Sequence, residues 1–290
     1  MKFKFIYEHR NEFSILRMCR VLDVKRVSYY AWKKRPPSKR SIENVKLLFL
    51  IIDIHEDSDK AYGSPKIWQK LKNQGIICSH KRVAKLMKAN NIRSIIVKKH
   101  KRKGGSVSET EASFNILNRE FNPEKPDKFW VTDITYIPTR SGWSYSCVII
   151  DLYSKGVVGY SVSSSMKTEL VIEALEMAIR RRNPGKGLLI HSDRGSQFGS
   201  KKFREKLGSH KFVQSMSRKG NCWDNACMES FFHLLKSERL NHYTFDSVEQ
   251  VRWALFKYIE GFYNTKRIHS TLGYMSPMEF ENKFRNKKIA

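Results

Sequence analysis

Over the first ninety residues apolar positions recur at helical spacing, with basic residues between them. In residues 12–32, EFSILRMCRVLDVKRVSYYAW, the apolar set Ile15, Leu16, Met18, Cys19 and Leu22 precedes a short break and a second basic, aromatic segment. This is the pattern of a small helix-turn-helix. The run KRPPSKRS that follows reads as a proline-broken linker. Residues 43–55, ENVKLLFLIIDIH, are apolar enough for a helix or a buried strand, and their length and the helical context downstream favour helix. Ser64 ahead of Pro65 opens the next helix and Gly75 closes it. A third begins at Ser79 as N-cap and runs HKRVAKLMKANN, with Val83, Leu86 and Met87 on one face and Lys81, Arg82, Lys85 and Lys88 elsewhere. A basic helix after a helix and a turn is what a major-groove reader needs, although a single basic helix also suits a plain solvated face.

Beyond Pro126 the period changes. DKFWVTDITYIP, WSYSCVIIDLYS and GVVGYSVSSS are β-rich and joined by Arg140-Ser141-Gly142 and Ser154-Lys155-Gly156, which predicts a meander. KTELVIEALEMAIRRR is a helix, GLLIHSD a short strand, SQFGSKKFREKLGSH another helix and KFVQSMS a fifth strand. NACMESFFHLLKSERL is a helix entered through the loop RKGNCWD. The sum is an α/β domain with a mixed sheet, preceded by a small all-helical helix-turn-helix region.

Charge adds a partner. The 290 residues hold 55 Lys+Arg against 28 Asp+Glu, a formal +27. Of these, 27 basic and 8 acidic residues stand up to Gly105 and 28 and 20 after it, leaving +19 and +8. So much positive charge, spread along the chain, calls for a polyanion, and the N-terminal third is the stronger handle. No apolar run reaches the 18 or so residues of a membrane span, so nucleic acid is preferred to a membrane surface. The basic stretch 97–106, VKKHKRKGGS, reads as a linker lying along DNA. Five cysteines (Cys19, Cys78, Cys147, Cys222, Cys227) without pairing pattern, and an opening without a signal-peptide core, fit a reducing cytoplasm, and DNA as the partner puts the expected place on the nucleoid. Cys222 and Cys227 have no second Cys/His pair at zinc spacing and read as packing residues.

Three acids stand where a carboxylate can be used. Asp133 lies in the first strand among Trp130, Val131, Ile134 and Tyr136, where an unpaired charge is costly. Asp193 follows the strand GLLIH at its carboxyl end, where open α/β sheets place their sites. Glu229 begins the helix after the last strand, with His233 and Lys236 one and two turns on along its face. Taken singly, each acid is better explained by a cap or a salt bridge. Converging, they repel, and hard divalent cations such as Mg²⁺ or Mn²⁺ would neutralise them. Two such ions, about 3.5–4 Å apart, activate a water or a 3′-hydroxyl and stabilise the leaving oxygen in phosphoryl transfer.

At these residues a resemblance becomes specific. FWVTDITYIP, IIDLYSKGVVGY, HSDRGSQF, SRKGNCWDNACMESFFHLLKSE and YNTKRIHSTLGYMSPMEFE resemble successive motifs of second-frame (OrfB) transposases of the insertion-sequence-three family, relatives of retroviral integrases. Asp193 and Glu229 leave 35 residues between them, the DD(35)E spacing of that group. The resemblance covers nearly the whole chain. It implies an RNase H-like, retroviral integrase-type core and four regions: an N-terminal helical segment 1–40, a helix-turn-helix domain and basic linker 41–105, the catalytic core 122–240 and a helical extension 241–290. It implies Mg²⁺- or Mn²⁺-dependent cleavage and strand transfer at the ends of an insertion sequence, with Asp133, Asp193 and Glu229 as the metal-binding triad holding two ions. Lys236 matches a basic residue that contacts transposon-end DNA.

Asp151, in IIDLYS, matches a motif near the site and reads as a turn cap or supporting residue. His191 and Arg194 flank Asp193 and could orient it or hold phosphate. Asn221, Trp223 and Asn225 lie in the loop before the catalytic helix, which by the resemblance approaches DNA, so Trp223 and Asn225 are expected DNA contacts; Trp223 either stacks on a splayed base or plugs the core beneath. Lys81, Arg82 and Lys85 are the DNA contacts expected of the helix-turn-helix. The implied partners are terminal inverted repeats and target DNA, the first-frame (OrfA) protein or a fusion with it, and further copies of the chain assembled on DNA. The zinc module that precedes the retroviral cores has no counterpart in this pattern. A repressor built from the catalytic frame would not need three acids at these intervals, and a plain nuclease would not need the basic N-terminal third.

Overall fold

The protein is described by a computed structural model, which covers residues 1–96, 114–218 and 221–289. The basic linker expected at 97–106 lies outside the described residues. The chain opens with three short helices, α1 (Lys2–Glu8), α2 (Ile15–Val21) and α3 (Arg26–Lys34), around Ile6, Met18, Cys19 and Tyr29. Helices α2 and α3 match the expected pair, whereas α1 was not foreseen: its KFKFIYE sequence lacks polar capping and presents only Ile6 as a buried anchor.

Helices α4 (Lys39–Asp57), α5 (Ser64–Asn73) and α6 (His80–Ala89) follow. The ambiguous apolar stretch is therefore helical, and Ser38 starts it by accepting from Ser41 N at 3.1 Å. Ser79 caps α6 in the same way, from Arg82 N at 3.2 Å. Leu47, Ile51, Ile67, Leu71, Val83 and Met87 form the inward faces and belong to the same apolar cluster as the α/β core.

Five strands form one sheet: β1 (Phe129–Thr139), β2 (Gly142–Asp151), β3 (Val157–Ser163), β4 (Leu189–Ser192) and β5 (Val213–Met216). Their spatial order is β3-β2-β1-β4-β5, with the first three antiparallel and β4 and β5 joined in parallel beside β1. This is the mixed sheet of an RNase H-like core. Alternation along β1 and β2 splits the core into two layers. Trp130, Cys147 and Ile149 face α7 (Thr168–Arg182), α8 (Ser196–Gly199) and α9 (Lys201–Ser209). Val131, Val148 and Ile150 face α10 (Ala226–Glu238) and α11 (Val248–Tyr258).

At Gly159 of β3 the sheet meets α7 so closely that a Cβ would lie 2.3 Å from the Ala174 carbonyl oxygen, so only glycine fits. The single helix expected over SQFGSKKFREKLGSH is split into α8 and α9. Ser200 between them is extended (φ −64°, ψ 148°); its hydroxyl donates to Gln197 O at 2.8 Å and accepts from Phe203 N at 3.3 Å. Local hydrogen bonding by serine has outcompeted the helix ladder.

Beyond α11 a π-helical turn (Ile259–Tyr263) leads through an irregular segment to α12 (Pro277–Ile289). That segment carries the α4–α6 unit. Ile268 N donates to the Tyr62 hydroxyl at 2.9 Å, Asn73 Nδ2 donates to Tyr274 O at 3.1 Å, and Lys66 lies 3.6 Å from Glu238.

Candidate active site

The parallel register of β1 and β4 brings the first two acids together. Trp130 is paired with Ile190 and Val131 with His191; two residues further along each strand stand Asp133 and Asp193. Asp133 shares the face of Val131, which α10 covers, and is half-buried. Burial, and after it the charges of Asp193 and Glu229, push its carboxyl up to about 7; the Ile134 N–H at 2.7 Å and Lys236 pull the other way. Asp193 opens to solvent beyond the strand end. The protein around it raises its pKa, opposed by the Gly195 N–H at 2.9 Å.

Glu229 is exposed on the first turn of α10, held by the buried Met228, Phe231, Phe232 and Leu235 on the other faces of the helix. Asn225, just before α10, donates through Nδ2 to Thr132 O at 3.3 Å, which ties the helix start to the strand position before Asp133. Lys236 is half-buried and near enough to Asp133 for each to move the other's pKa; burial lowers that of the lysine.

The three acids and Lys236 thus share one electrostatic environment. Among the described residues no three Asp, Glu, His or Cys side chains stand close enough to enclose one metal ion. In donor type and charge the carboxylates fit a hard divalent cation, since a neighbouring positive charge would relieve the cost visible at Asp133. Their spacing is wider than a closed shell.

The remaining residues divide into scaffold and surface. His191 is buried, with Nδ1 2.8 Å from Ser215 Oγ and Nε2 3.1 Å from Ser217 Oγ. Ser215 Oγ already accepts from Ile116 N and Leu117 N at 2.9 and 3.1 Å, so its proton goes to Nδ1, and Nε2–H donates to Ser217. Burial accordingly lowers the His191 pKa to about 4. His191 is a neutral strut between β4 and β5, and Arg194 reinforces it by donating from Nε to Ser217 O at 2.8 Å.

Trp223 is 69% exposed, which removes the core-plug alternative. Asn225 is buried and committed to Thr132, so it is scaffold rather than a DNA-facing residue. Arg82 is likewise committed, donating to Asn44 Oδ1 at 2.7 Å and Glu43 Oε2 at 3.1 Å; it staples α6 to α4, while Lys81 and Lys85 are exposed. Asp151 lies opposite Trp130, three positions along the ladder from Asp133. It accepts from Tyr153 N at 3.1 Å and from Arg182 Nη2 at 3.2 Å, a turn cap within an ion network. His233 is exposed.

Two clusters escaped sequence reasoning. Asp224, fully buried before α10, accepts from Arg218 Nε and Nη2 at 2.9 and 2.7 Å, from Arg119 Nε at 3.0 Å and from Asn115 Nδ2 at 2.8 Å. These partners hold its carboxyl far below the usual range and fix the approach to Glu229. At the other end of α10, Glu238 accepts from Arg267 Nε and Nη2 at 2.7 and 2.6 Å and from the Tyr258 hydroxyl at 2.9 Å, all buried. Both acids sit inside motifs already singled out, but apart from Arg218, six residues from Asp224, their partners are far away in the chain.

A family model described as an integrase core domain matches residues 123–222, and a second of the same description matches 229–284. An HTH-like domain model matches 43–100. The transposase InsF for insertion sequence IS3A of Escherichia coli is 39% identical over 285 residues, covering 98% of this chain and 99% of the relative. This chain belongs to the IS3 InsF transposase family. A 31 kDa protein of insertion element IS600 from Shigella sonnei, itself uncharacterized, is 39% identical across 92% of the chain and 98% of its own length. The integrase catalytic core of HTLV-2, solved with magnesium, is 19% identical and overlays 54% of the chain at a TM-score of 0.43. The IS3-family transposase described here is a DNA transposase, a polynucleotidyl transferase of the DDE class. It acts on DNA in transposition and integration. No helix among its described residues is long and apolar enough to cross a membrane.

Proposed function

We propose that Asp133, Asp193 and Glu229 are the catalytic carboxylates of this transposase and together hold two divalent ions, Mg²⁺ or Mn²⁺, against a phosphodiester at the end of an insertion sequence. The observation that carries this is geometric: Asp133 and Asp193 lie two residues beyond the paired Val131 and His191 on adjacent parallel strands, and Glu229 opens the helix that covers β1, an arrangement in which burial and then the neighbouring acids raise the Asp133 pKa. When bound, the metals supply Lewis acidity to the attacking and leaving oxygens.

The chain's own part is positioning. Asp133 and Asp193 offer a two-strand base, and α10 supplies Glu229 from above. Lys236, two turns further along the same face of α10, meets a backbone phosphate of the bound end. Trp223 offers an exposed ring on which a splayed base stacks. Arg194 braces the loop beneath the strand and lines the phosphate path, and Lys81 and Lys85 track the DNA backbone. We assign residues 1–40 and 41–105 to DNA engagement, 122–240 to catalysis and 241–290 to bracing. The full reaction uses terminal repeats and target DNA, involves the first-frame protein or a fusion with it, and takes place in the cytoplasm on the nucleoid with several copies assembled on DNA. The direct test is Mn²⁺ binding followed by electron paramagnetic resonance. Wild type should titrate at two ions per chain and Asp193→Asn at fewer; unchanged stoichiometry in Asp193→Asn removes that residue from the shell.

A further inference from the structure

Helix α4 has two apolar faces, and only one is used. Leu47, Ile51 and Ile54 point into the core. On the opposite side Ile42, Val45, Phe49 and Ile52 are 49%, 52%, 69% and 39% exposed. They succeed one another at spacings of three, four and three residues, which is the seam of a two-helix coiled coil rather than scattered surface apolar residues. Exposed Lys46 and Asp53 run along one edge of this seam, seven residues apart.

We infer that α4 pairs with the α4 of a second copy of this chain, antiparallel about a two-fold axis at Phe49. In that register Phe49 meets Phe49 of the other copy and Val45 meets Ile52. Each Lys46 then faces an Asp53, because the same edges adjoin in an antiparallel pair. A parallel pairing would set Lys46 beside Leu48 or Ser41 and waste the complementarity. Along the Lys46–Asp53 edge the seam is therefore charge-complementary in one orientation only. One helix pair falls short of the roughly 1,000 Å² of a stable interface, so the contact forms when DNA holds two copies together. The inference deepens the multi-copy assembly proposed above and rests on it. It places the contact on the DNA-engaging unit, which docks on the segment after α11 through Tyr62 and on α10 through Lys66.

The test uses the full chain on a duplex carrying one element end. Under mild oxidation, Phe49→Cys should give a disulfide-linked dimer several-fold above wild type, whose own cysteines are the control. Ile42→Cys should not, since the two copies of that position lie about 20 Å apart in the antiparallel register. In the native-cysteine chain, sedimentation with DNA should show Lys46→Asp weakening pairing roughly tenfold, two surface ion pairs having become repulsive. Asp53→Lys, which adds positive charge and so favours DNA, should weaken pairing as well, and the double exchange should restore it. Equal cross-linking at 42 and 49, or pairing insensitive to both charge reversals, overturns the antiparallel seam. Two copies on DNA without the 49–49 link would discard this interface and leave the assembly standing; a single copy per duplex would discard both.

Discussion

Replacing Asp133 by asparagine should stabilise the metal-free protein at alkaline pH. The Asp133 carboxyl titrates at about 7 in the fold against 3.8 unperturbed. The protonated acid therefore favours the folded state: its contribution is intact below 3.8, declines as pH rises, and is gone above 7. About three pKa units at 1.36 kcal/mol each set an upper bound of about 4 kcal/mol, and local relaxation reduces this to about 2–3 kcal/mol. The assay is urea unfolding of wild type and Asp133→Asn in chelator at pH 5 and pH 8. The variant should be the more stable at pH 8, and its advantage should shrink by about 2 kcal/mol at pH 5. Added Mg²⁺ should stabilise wild type and not the variant, reversing their order. A variant less stable than wild type at pH 8 without metal would refute the reasoning, because Asp133 would then be paying its way through a contact rather than strained by its neighbours.

Other consequences follow from the supporting network. His191, at about 4 in the fold against 6.5 unperturbed, stabilises the protein above 6.5 and loses that contribution as pH falls to 4; wild type should lose up to about 3 kcal/mol over this window relative to His191→Asn, read by urea midpoints. Arg267→Met leaves the buried Glu238 with only Lys66 at 3.6 Å and the Tyr258 hydroxyl at 2.9 Å as partners and should cost about 3 kcal/mol in thermal or urea unfolding, with Glu238→Met added to it recovering most of the loss. Lys81→Ala and Lys85→Ala should each lower the slope of log affinity against log salt by about 0.9, whereas Arg82→Ala should leave the slope and loosen α6 from α4.

The periodicity in the sequence exposed helices α2 to α6 and all five strands, because each depends on a local pattern. Asp193 at a strand end and Glu229 at a helix start are visible in a window of a few residues. The failures are of another kind. Arg82 and Asn225 have the chemistry of DNA contacts, and only the fold shows them bonded to Asn44 and Thr132. Asp224 with Arg119, and Glu238 with Arg267, are joined across 105 and 29 residues, and no spacing rule anticipates them. The split at Ser200 reflects a hydroxyl competing with the helix ladder. The N-terminal third looked separable by charge alone, yet Tyr62 and Lys66 dock it on the segment after α11 and on α10. Removing it would expose core, which is why single lysines probe its DNA role more cleanly than a truncation.

The central claim is that Asp133, Asp193 and Glu229 act together on a DNA strand. A labelled element end incubated with the protein and its first-frame partner, with and without Mg²⁺, and read at nucleotide resolution, tests it most directly. Metal-dependent cleavage should vanish in Asp133→Asn, Asp193→Asn and Glu229→Gln alike, each still retarding the duplex as wild type does. Cleavage that survives in any one of the three would contradict a shared site.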